Sequence, residues 1–473
     1  MGGLLAYGAY VPYHRLQRGA IGAALGSGGG KGTRAVASYD EDPTSMGVEA
    51  ARLALRGLPE GVAPERLIFA TAAPPYLDKT NATVVHAALG LESSVLAIDT
   101  GGAVRSGIGA LVLAADSTTP TLAVLSDVRT GLPGGSDERD GGDAAAAFLF
   151  GDGPALAEVV AQASATGEFL DRWRLPGAPA SRVWEERFGQ HAYGPLAEAA
   201  FADALKLAGL TAGDLDVLVV AGSHARANRV FAGGAGAARV ADDLTSVIGN
   251  TGTAHAGVVL ADVLDKAEPG QTIALVVLAD GATAVILRTT EALAARRPAR
   301  PVATQIAEGN DGLPYTTFLT WRGFLTREPP RRPDPVGPSA PPSLRTEGYK
   351  YGFNGARCLE CGTVHLPPVR ICISCKSVDR MTPQPMADVA GTVATYTIDN
   401  LAYTLSPPMV AAVVDFDGGG RFSCELTDVE PSSVRIGDRV EMTFRRIATA
   451  GGVHNYFWKA KPVAPGTVET EGV

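Results

Sequence analysis

This 473-residue chain has only five cysteines, and none lies before residue 358. That excludes a disulfide framework and leaves the first three quarters without a thiol nucleophile. Basic charge is also short: 41 Lys and Arg stand against 50 Asp and Glu, a formal net charge of -9, which argues against a nucleic-acid footprint. No run of eighteen apolar residues is present, so no membrane helix is expected. The first residues, Met1-Gly2-Gly3-Leu4-Leu5-Ala6, lack the basic start of a secretory signal. With 46% hydrophobic and 19% charged residues, the composition points to a soluble, cytoplasmic chain of two or three domains.

Four of the five cysteines crowd into 358–375 as two Cys-x-x-Cys pairs, Cys358 with Cys361 and Cys372 with Cys375. This spacing presents four thiolates to one tetrahedral ion, as a zinc ribbon does; buried thiols or a redox pair are the alternatives. A closed four-thiolate site has no open coordination position, so the expected zinc is structural. His365, between the two knuckles, is read as a surface residue. The ribbon divides a long α/β part from a short β part.

Before the ribbon, apolar strand-like runs at 4–12, 67–72, 95–99, 121–127 and 144–151 alternate with helical patterns at 42–55, 81–91 and 104–115. A second series follows: a helix at 196–207, a strand at 216–221, a helix at 254–267 and strands at 272–278 and 283–287. Two such series predict an internally duplicated α/β fold with a buried sheet and helices on both faces. The Gly-rich stretch 26–32 lacks phosphate-loop spacing and reads as a flexible entry loop. An amphipathic helix is expected at 315–325. Seven prolines between 329 and 342 read as a stiff linker. Five short strands between 390 and 461, separated by turn residues, suit a closed barrel.

The run Asn250-Thr251-Gly252-Thr253-Ala254, then Pro269-Gly270-Gln271 and Ala279-Asp280-Gly281-Ala282, resembles the C-terminal half of the thiolase superfamily. The likeness is to its ketoacyl synthase III and hydroxymethylglutaryl-CoA synthase branch. Ser126-Asp127 with the 142–147 run resembles the end of that family's first half, and Asp171-Arg172-Trp173-Arg174 with 184–188 its connecting insertion. Arg357-Cys358, the 366–370 run, Gly391-Thr392-Val393 and the 435–440 run resemble the zinc-ribbon/OB-fold module that accompanies thiolases and binds acyl-CoA. The resemblance implies a duplicated, five-layer thiolase-like domain at 1–290, with halves at about 1–155 and 156–290. It is followed by a helical segment and linker at 291–345, a zinc ribbon at 346–383, an OB barrel at 384–465 and a tail at 466–473.

Ungapped matching to that family puts Val104 where its nucleophilic cysteine stands and Ala72 where its acidic base stands. Valine cannot be acylated. His224 and Asn250 match the family's oxyanion residues, a pair of donors of which one is worth about 3 kcal/mol in a transition state. For His224 the alternative is a histidine capping a strand end. His255 could line the same pocket or be an ordinary helix histidine; Asp99, Asp127 and Asp280 read as structural. Three functions stay open. The first is carbon–carbon bond formation or cleavage beside a CoA thioester without an acyl-enzyme, of aldol or retro-aldol type. The second is a non-catalytic subunit that partners an active thiolase and supplies the OB domain. The third is acyl transfer like that of hydroxymethylglutaryl-CoA synthase. The implied ligands are structural zinc and acyl-CoA, and the implied assembly is a homodimer or a heteromer with a thiolase-like partner.

Overall fold

A computed structural model describes residues 1–26, 28–59, 61–328 and 337–463. They divide into two units. The first holds Met1–Ser38, Asp42–Thr83 and Glu92–Arg322; the second holds Tyr39–Glu41, Val84–Leu91 and the chain from Gly323 onward.

The first unit opens with β1 (Gly3–Tyr10), then β2 (His14–Gln17), α1 (Arg18–Leu25), β3 (Thr33–Val36) and α2 (Pro43–Leu55). Next come β4 (Arg66–Thr71), α3 (Ala82–Ala88, which belongs to the second unit from Val84 on), β5 (Leu96–Gly101), α4 (Arg105–Ala115), β6 (Thr121–Val128), α5 (Ser136–Asp140) and β7 (Asp143–Gly151). The second half brings β8 (Ala157–Thr166), the short pair β9 (Arg172–Trp173) and β10 (Arg182–Val183), and α6 (Glu186–Ala208). It continues with β11 (Val217–Gly222), α7 (Ala225–Gly234), α8 (His255–Lys266), β12 (Thr272–Leu278) and β13 (Gly281–Thr289), then α9 (Ala292–Ala295), α10 (Val302–Ala307) and α11 (Tyr315–Trp321).

The strands run β11-β12-β13-β8-β1-β7-β6-β4-β5. The duplication is legible in the pairing. β6 is parallel to β4 and antiparallel to β7, which is antiparallel to β1; β12 relates to β11, β13 and β8 in the same way. The halves join where Leu4 pairs with Ala157. α2 covers β1, β7 and β6, and α6 covers β8, β13 and β12, while α4 and α8 lie between the two sets of strands. Helices therefore sandwich and separate two sheet halves in five layers. β6, buried at every position from Thr121 to Asp127, has a continuous apolar run because both its faces are covered. Asp42 starts α2 with a capping box to Ser45, and Pro43 occupies a first-turn position that needs no N–H donor.

Three expectations change. The 26–32 stretch, exposed over most of its described residues, is pinned against backbone at two glycines, since a methyl on Gly29 would meet the Arg18 carbonyl at 2.2 Å and one on Gly32 the Ser246 carbonyl at 2.1 Å; only Ser27 falls outside the described residues. The first unit runs to Arg322 and not 290, because Leu313, Tyr315 and Phe318 share a buried cluster with Leu16, Ile21 and Val36. α6 starts ten residues before the expected helix and passes through Pro195.

In the second unit, α12 (Ala340–Arg345) and α13 (Glu347–Lys350) precede a sheet of β14 (Asn354–Cys358), β15 (Val364–His365) and β16 (Met381–Pro385) in the order β15-β14-β16. Prolines 341 and 342 thus sit in the first turn of a helix, a place proline tolerates, while 329–336 of the expected linker and the 466–473 tail lie outside the described residues. β17 (Gly391–Asp399), β18 (Met409–Phe416), β19 (Arg421–Leu426), β20 (Arg439–Ala450) and β21 (Val453–Pro462) close the expected five-stranded barrel. Phe353, Phe416, Phe444 and Trp458 pack its core. The fully buried Arg445 is held by Asp40, Glu41 and Asp428, which explains why Tyr39–Glu41 belongs to this unit.

Candidate functional site

The parallel strands β4, β5 and β6 end together, and the crevice beyond such carboxyl ends is where open α/β sheets place their ligands. Val104 stands here as the N-cap residue of α4, two residues beyond the Gly102 N–H that donates to the Thr71 carbonyl. It offers neither a nucleophile nor a capping side chain. α4 comes close to the second half because residue 107 is glycine: a methyl there would lie 2.3 Å from the Thr253 carbonyl. Arg105 fastens the same end by donating to the Ala279 and Asp280 carbonyls at 2.9 and 2.6 Å.

His224 is the N-cap of α7, and both ring nitrogens are engaged. Nδ1 accepts from the Ala227 N–H at 3.0 Å, so Nε2 carries the proton and donates to the Glu186 carbonyl at 2.8 Å. Asn250 accepts from the Gly252 N–H at 3.0 Å and donates through Nδ2 to the Gly222 carbonyl at 2.8 Å. Both residues therefore gather around the end of β11. Each spends a donor on backbone, leaving one Asn250 amide hydrogen without an acceptor among the described residues. His255 is buried at the start of α8, where Nδ1 accepts from the Thr251 N–H at 3.3 Å. Burial pushes its pKa down to about 4, so it is a neutral structural histidine near physiological pH.

Residues to which sequence reasoning assigned no role in the chemistry line the same crevice. Asp171 is 3% exposed, its Oδ1 has no hydrogen-bond partner, and it flanks Gly189 together with His224. A methyl at Gly189 would lie 2.5 Å from Asp171 Oδ1 and 2.6 Å from His224 Nε2. Arg172 grips Asp137 in a two-pronged pair at 2.6 and 2.7 Å. Burial pushes the Asp137 carboxyl up, but Arg172 outweighs it and holds the pKa below the ordinary value. Arg174 donates to the carbonyl of Ala72. Arg129 lies 3.9 Å from the buried Asp127. Burial raises the Asp127 pKa and lowers that of Arg129. Asp127 itself accepts from the Thr253 N–H at 3.0 Å and the Thr71 hydroxyl at 3.3 Å, a joint between the halves. The signal available in the sequence was the alternation of Asp171, Arg172, Trp173 and Arg174, which strand geometry turns into two differently charged sides.

In the second unit the four cysteines converge, with ligand atoms all within 4.8 Å of one another. Sγ of Cys358 is 3.6 Å from that of Cys375, and Cys361 is 3.5 Å from Cys372. Four thiolates around zinc would stand about 3.8 Å apart, so the donor set fits. The Ser377 hydroxyl lies 3.2 Å from Cys358 and Cys375, and that of Thr363 3.2 Å from Cys361, as outer partners of such a site. His365 is 5% exposed, against expectation, because β15 pairs with β14 and places it opposite Ala356. Cys424 lies in β19, where burial pushes the thiol up to about 12.

Comparison with known proteins places these features. The family described as "ChsH2, C-terminal OB-fold domain" matches residues 384–445. A hydroxymethylglutaryl-CoA synthase of Aeropyrum pernix is 31% identical over 341 residues, 68% of this chain and 94% of that protein. A DUF35 domain-containing scaffold protein of Methanothermobacter thermautotrophicus is 32% identical over 118 residues, 24% of this chain and 88% of its own length. Among solved structures, PksG, an HMG-CoA synthase from Bacillus subtilis, superposes with a TM-score of 0.58 at 18% identity, covering 68% of this chain and 88% of that one. No helix among the described residues is long and apolar enough to cross a membrane.

Proposed function

Because the chain belongs to the hydroxymethylglutaryl-CoA synthase family of the thiolase superfamily, fused to an OB-fold domain of the ChsH2 type, we propose that it binds a CoA thioester and makes or breaks a carbon–carbon bond beside it without an acyl-cysteine. The observation that carries this reading is Val104 at the N-cap of α4, in a unit that contains no cysteine. The covalent acyl transfer of a synthase needs a thiolate at that helix start. Enolate chemistry needs only donors for the thioester oxygen and a base.

In the retro-aldol direction Asp171, buried and without a hydrogen-bond partner at Oδ1, takes the proton of a β-hydroxyl. The Cα–Cβ bond breaks, a carbonyl compound leaves, and the electron pair passes to the thioester enolate. The free hydrogen of Asn250 Nδ2 holds the enolate oxygen, joined by His224 Nε2–H once it gives up the Glu186 carbonyl, an exchange that costs about 1 kcal/mol. Protonation at Cα then gives the shorter acyl-CoA. One zinc on Cys358, Cys361, Cys372 and Cys375 holds the ribbon and takes no part in the reaction.

A second reading is favoured by the committed donors of His224 and Asn250: a non-catalytic subunit beside an active thiolase-like partner. β5 ends the sheet with Leu96 and Ile98 exposed, an edge suited to pairing with a second copy or such a partner; sedimentation of a strictly monomeric chain would end that idea. The purified chain, given a series of 3-hydroxyacyl-CoA esters, separates the two readings. The enzyme releases a shorter acyl-CoA and loses this activity in His224→Ala; a chain that turns nothing over leaves the subunit reading.

A further inference from the structure

We propose that Asp280, at the turn between β12 and β13, is a second catalytic carboxyl of this crevice: it gives the thioester enolate its proton at Cα, while Asp171 handles the β-hydroxyl. The inference rests on the carbon–carbon chemistry proposed above and assigns a group to its last step. An aspartate with a purely structural role, as expected from sequence, spends its oxygens on its neighbours. The carboxyl of Asp280 accepts no hydrogen bond and joins no ion pair among the described residues; only its backbone N–H and carbonyl are engaged. Those two contacts set its place. Nη1 of Arg105, the first residue of α4, donates to the Ala279 and Asp280 carbonyls, and the Asp280 N–H reaches the Tyr193 hydroxyl at 3.4 Å. Arg105 follows Val104, and the Tyr193 ring lies 5.9 Å from that of His224. Asp280 thus stands between the start of α4 and the His224 side of the crevice.

The turn holds this residue at a cost. Asp280 has a φ of 45°, a left-handed conformation that glycine would adopt freely, and the next position must be glycine. A methyl on Gly281 would lie 2.3 Å from the Ala165 carbonyl and 2.5 Å from Arg105 Nη1, so the turn is locked against β8 and α4. A side chain kept at positive φ and left without a partner marks a functional position. The half-buried carboxyl has Arg105, Asp171 and Glu168 as charged neighbours. Burial raises its pKa, Arg105 opposes the rise, and Asp171 and Glu168 add to it. Two uncommitted carboxyls that act on one another divide into a base and an acid. Ionised Asp171 takes the hydroxyl proton, the Cα–Cβ pair moves to the enolate, and protonated Asp280 delivers its proton to Cα. Transfer of the proton from Asp171 to Asp280 through solvent restores both groups, and the cycle neither gains nor loses a proton.

Hydrogen exchange isolates this step, because by microscopic reversibility Asp280 also removes a Cα proton from an acyl-CoA product without touching a carbon–carbon bond. The full chain in D2O should place deuterium on the methyl carbon of acetyl-CoA, read by mass spectrometry. Asp280→Asn, close in shape and tolerated at positive φ, should slow this exchange at least about 100-fold, and Asp280→Gly, which removes the carboxyl together with the backbone cost, should do the same. Both variants should bind acetyl-CoA within about twofold of the wild type by calorimetry. Asp171→Asn should lose cleavage of a 3-hydroxyacyl-CoA and keep exchange. Exchange that survives in either Asp280 variant, exchange lost in Asp171→Asn, a wild type that cleaves but does not exchange, or a parallel loss of acetyl-CoA affinity in both Asp280 variants would overturn the inference. A wild-type chain that neither cleaves nor exchanges would sink the carbon–carbon reading and this one with it, whereas cleavage with exchange indifferent to Asp280 sinks this one alone.

Discussion

Gly189→Ala tests the crevice through a single methyl group. The added carbon would lie 2.5 Å from Asp171 Oδ1 and from His224 Cδ2, where ordinary contact begins near 3.4 Å, so the imidazole must retreat by about 1 Å. The ring cannot retreat freely, because Glu186 and Ala227 hold its two nitrogens. Losing those two bonds costs about 2 kcal/mol, while replacing glycine by alanine inside α6 returns about 1 kcal/mol of helix propensity. The net loss of about 1 kcal/mol lowers the melting temperature by only a few degrees. Function should suffer far more, since a displacement of this size at reacting groups costs on the order of 100-fold in rate. Gly194→Ala is the control: it lies in the same helix with nothing within 4 Å of the added methyl, and should stabilise slightly and leave turnover intact. Thermal scanning with turnover of a 3-hydroxyacyl-CoA reads both quantities. Full turnover in Gly189→Ala, or a fall in melting temperature as large as for a core deletion, would show that Gly189 does not set the position of His224 for function.

The purified chain should carry one zinc, and Cys372→Ser should remove it and unfold the ribbon; elemental analysis that finds iron or no metal would contradict this. His255, whose pKa lies near 4 in the folded chain and 6.5 unfolded, lets the unfolded state bind the extra proton in between. Its contribution is complete above about pH 6.5 and is lost as pH falls towards 4, by about 3 kcal/mol in all. Burial raises Asp265 to about 6, which stabilises in the opposite sense, so the readout is the difference between wild type and His255→Gln, expected to shrink as pH falls from 7 to 5. A constant difference would show that His255 does not titrate on unfolding. Val104→Cys puts a thiol at the N-cap of α4 for a volume change costing under about 1.5 kcal/mol, and should acquire an acyl adduct from acetyl-CoA by intact mass; no adduct would show that the helix start does not face the thioester.

The strands buried on both faces were readable from sequence, because continuous apolar runs such as 121–127 and 272–278 have few other uses. The barrel was readable from its turn residues, and the cysteine cluster from spacing alone. β8 was missed, since Ala157–Thr166 is half-exposed and rich in Ala, Ser, Thr and Gln with no clean alternation. α7 was missed because its apolar positions are few. The crevice was legible only in part. Family matching nominated Val104, His224 and Asn250, but hydrogen-bond commitments depend on where Glu186 and Gly222 fold, which no local pattern encodes. Asp171 and Arg174 share one short run while Arg129 lies in another, and their charges act on one another only once those two segments meet. His365 was misread because polarity suggested exposure, while one ladder pair with β14 buries it.

Carbon–carbon chemistry without an acyl-enzyme is tested by following turnover and intact mass on one sample. The purified wild-type chain, mixed with a 3-hydroxyacyl-CoA and quenched during turnover, should release a shorter acyl-CoA and a carbonyl compound while the protein mass stays unchanged. A mass increase of one acyl group on the first unit during turnover would contradict the claim, as would the absence of any product.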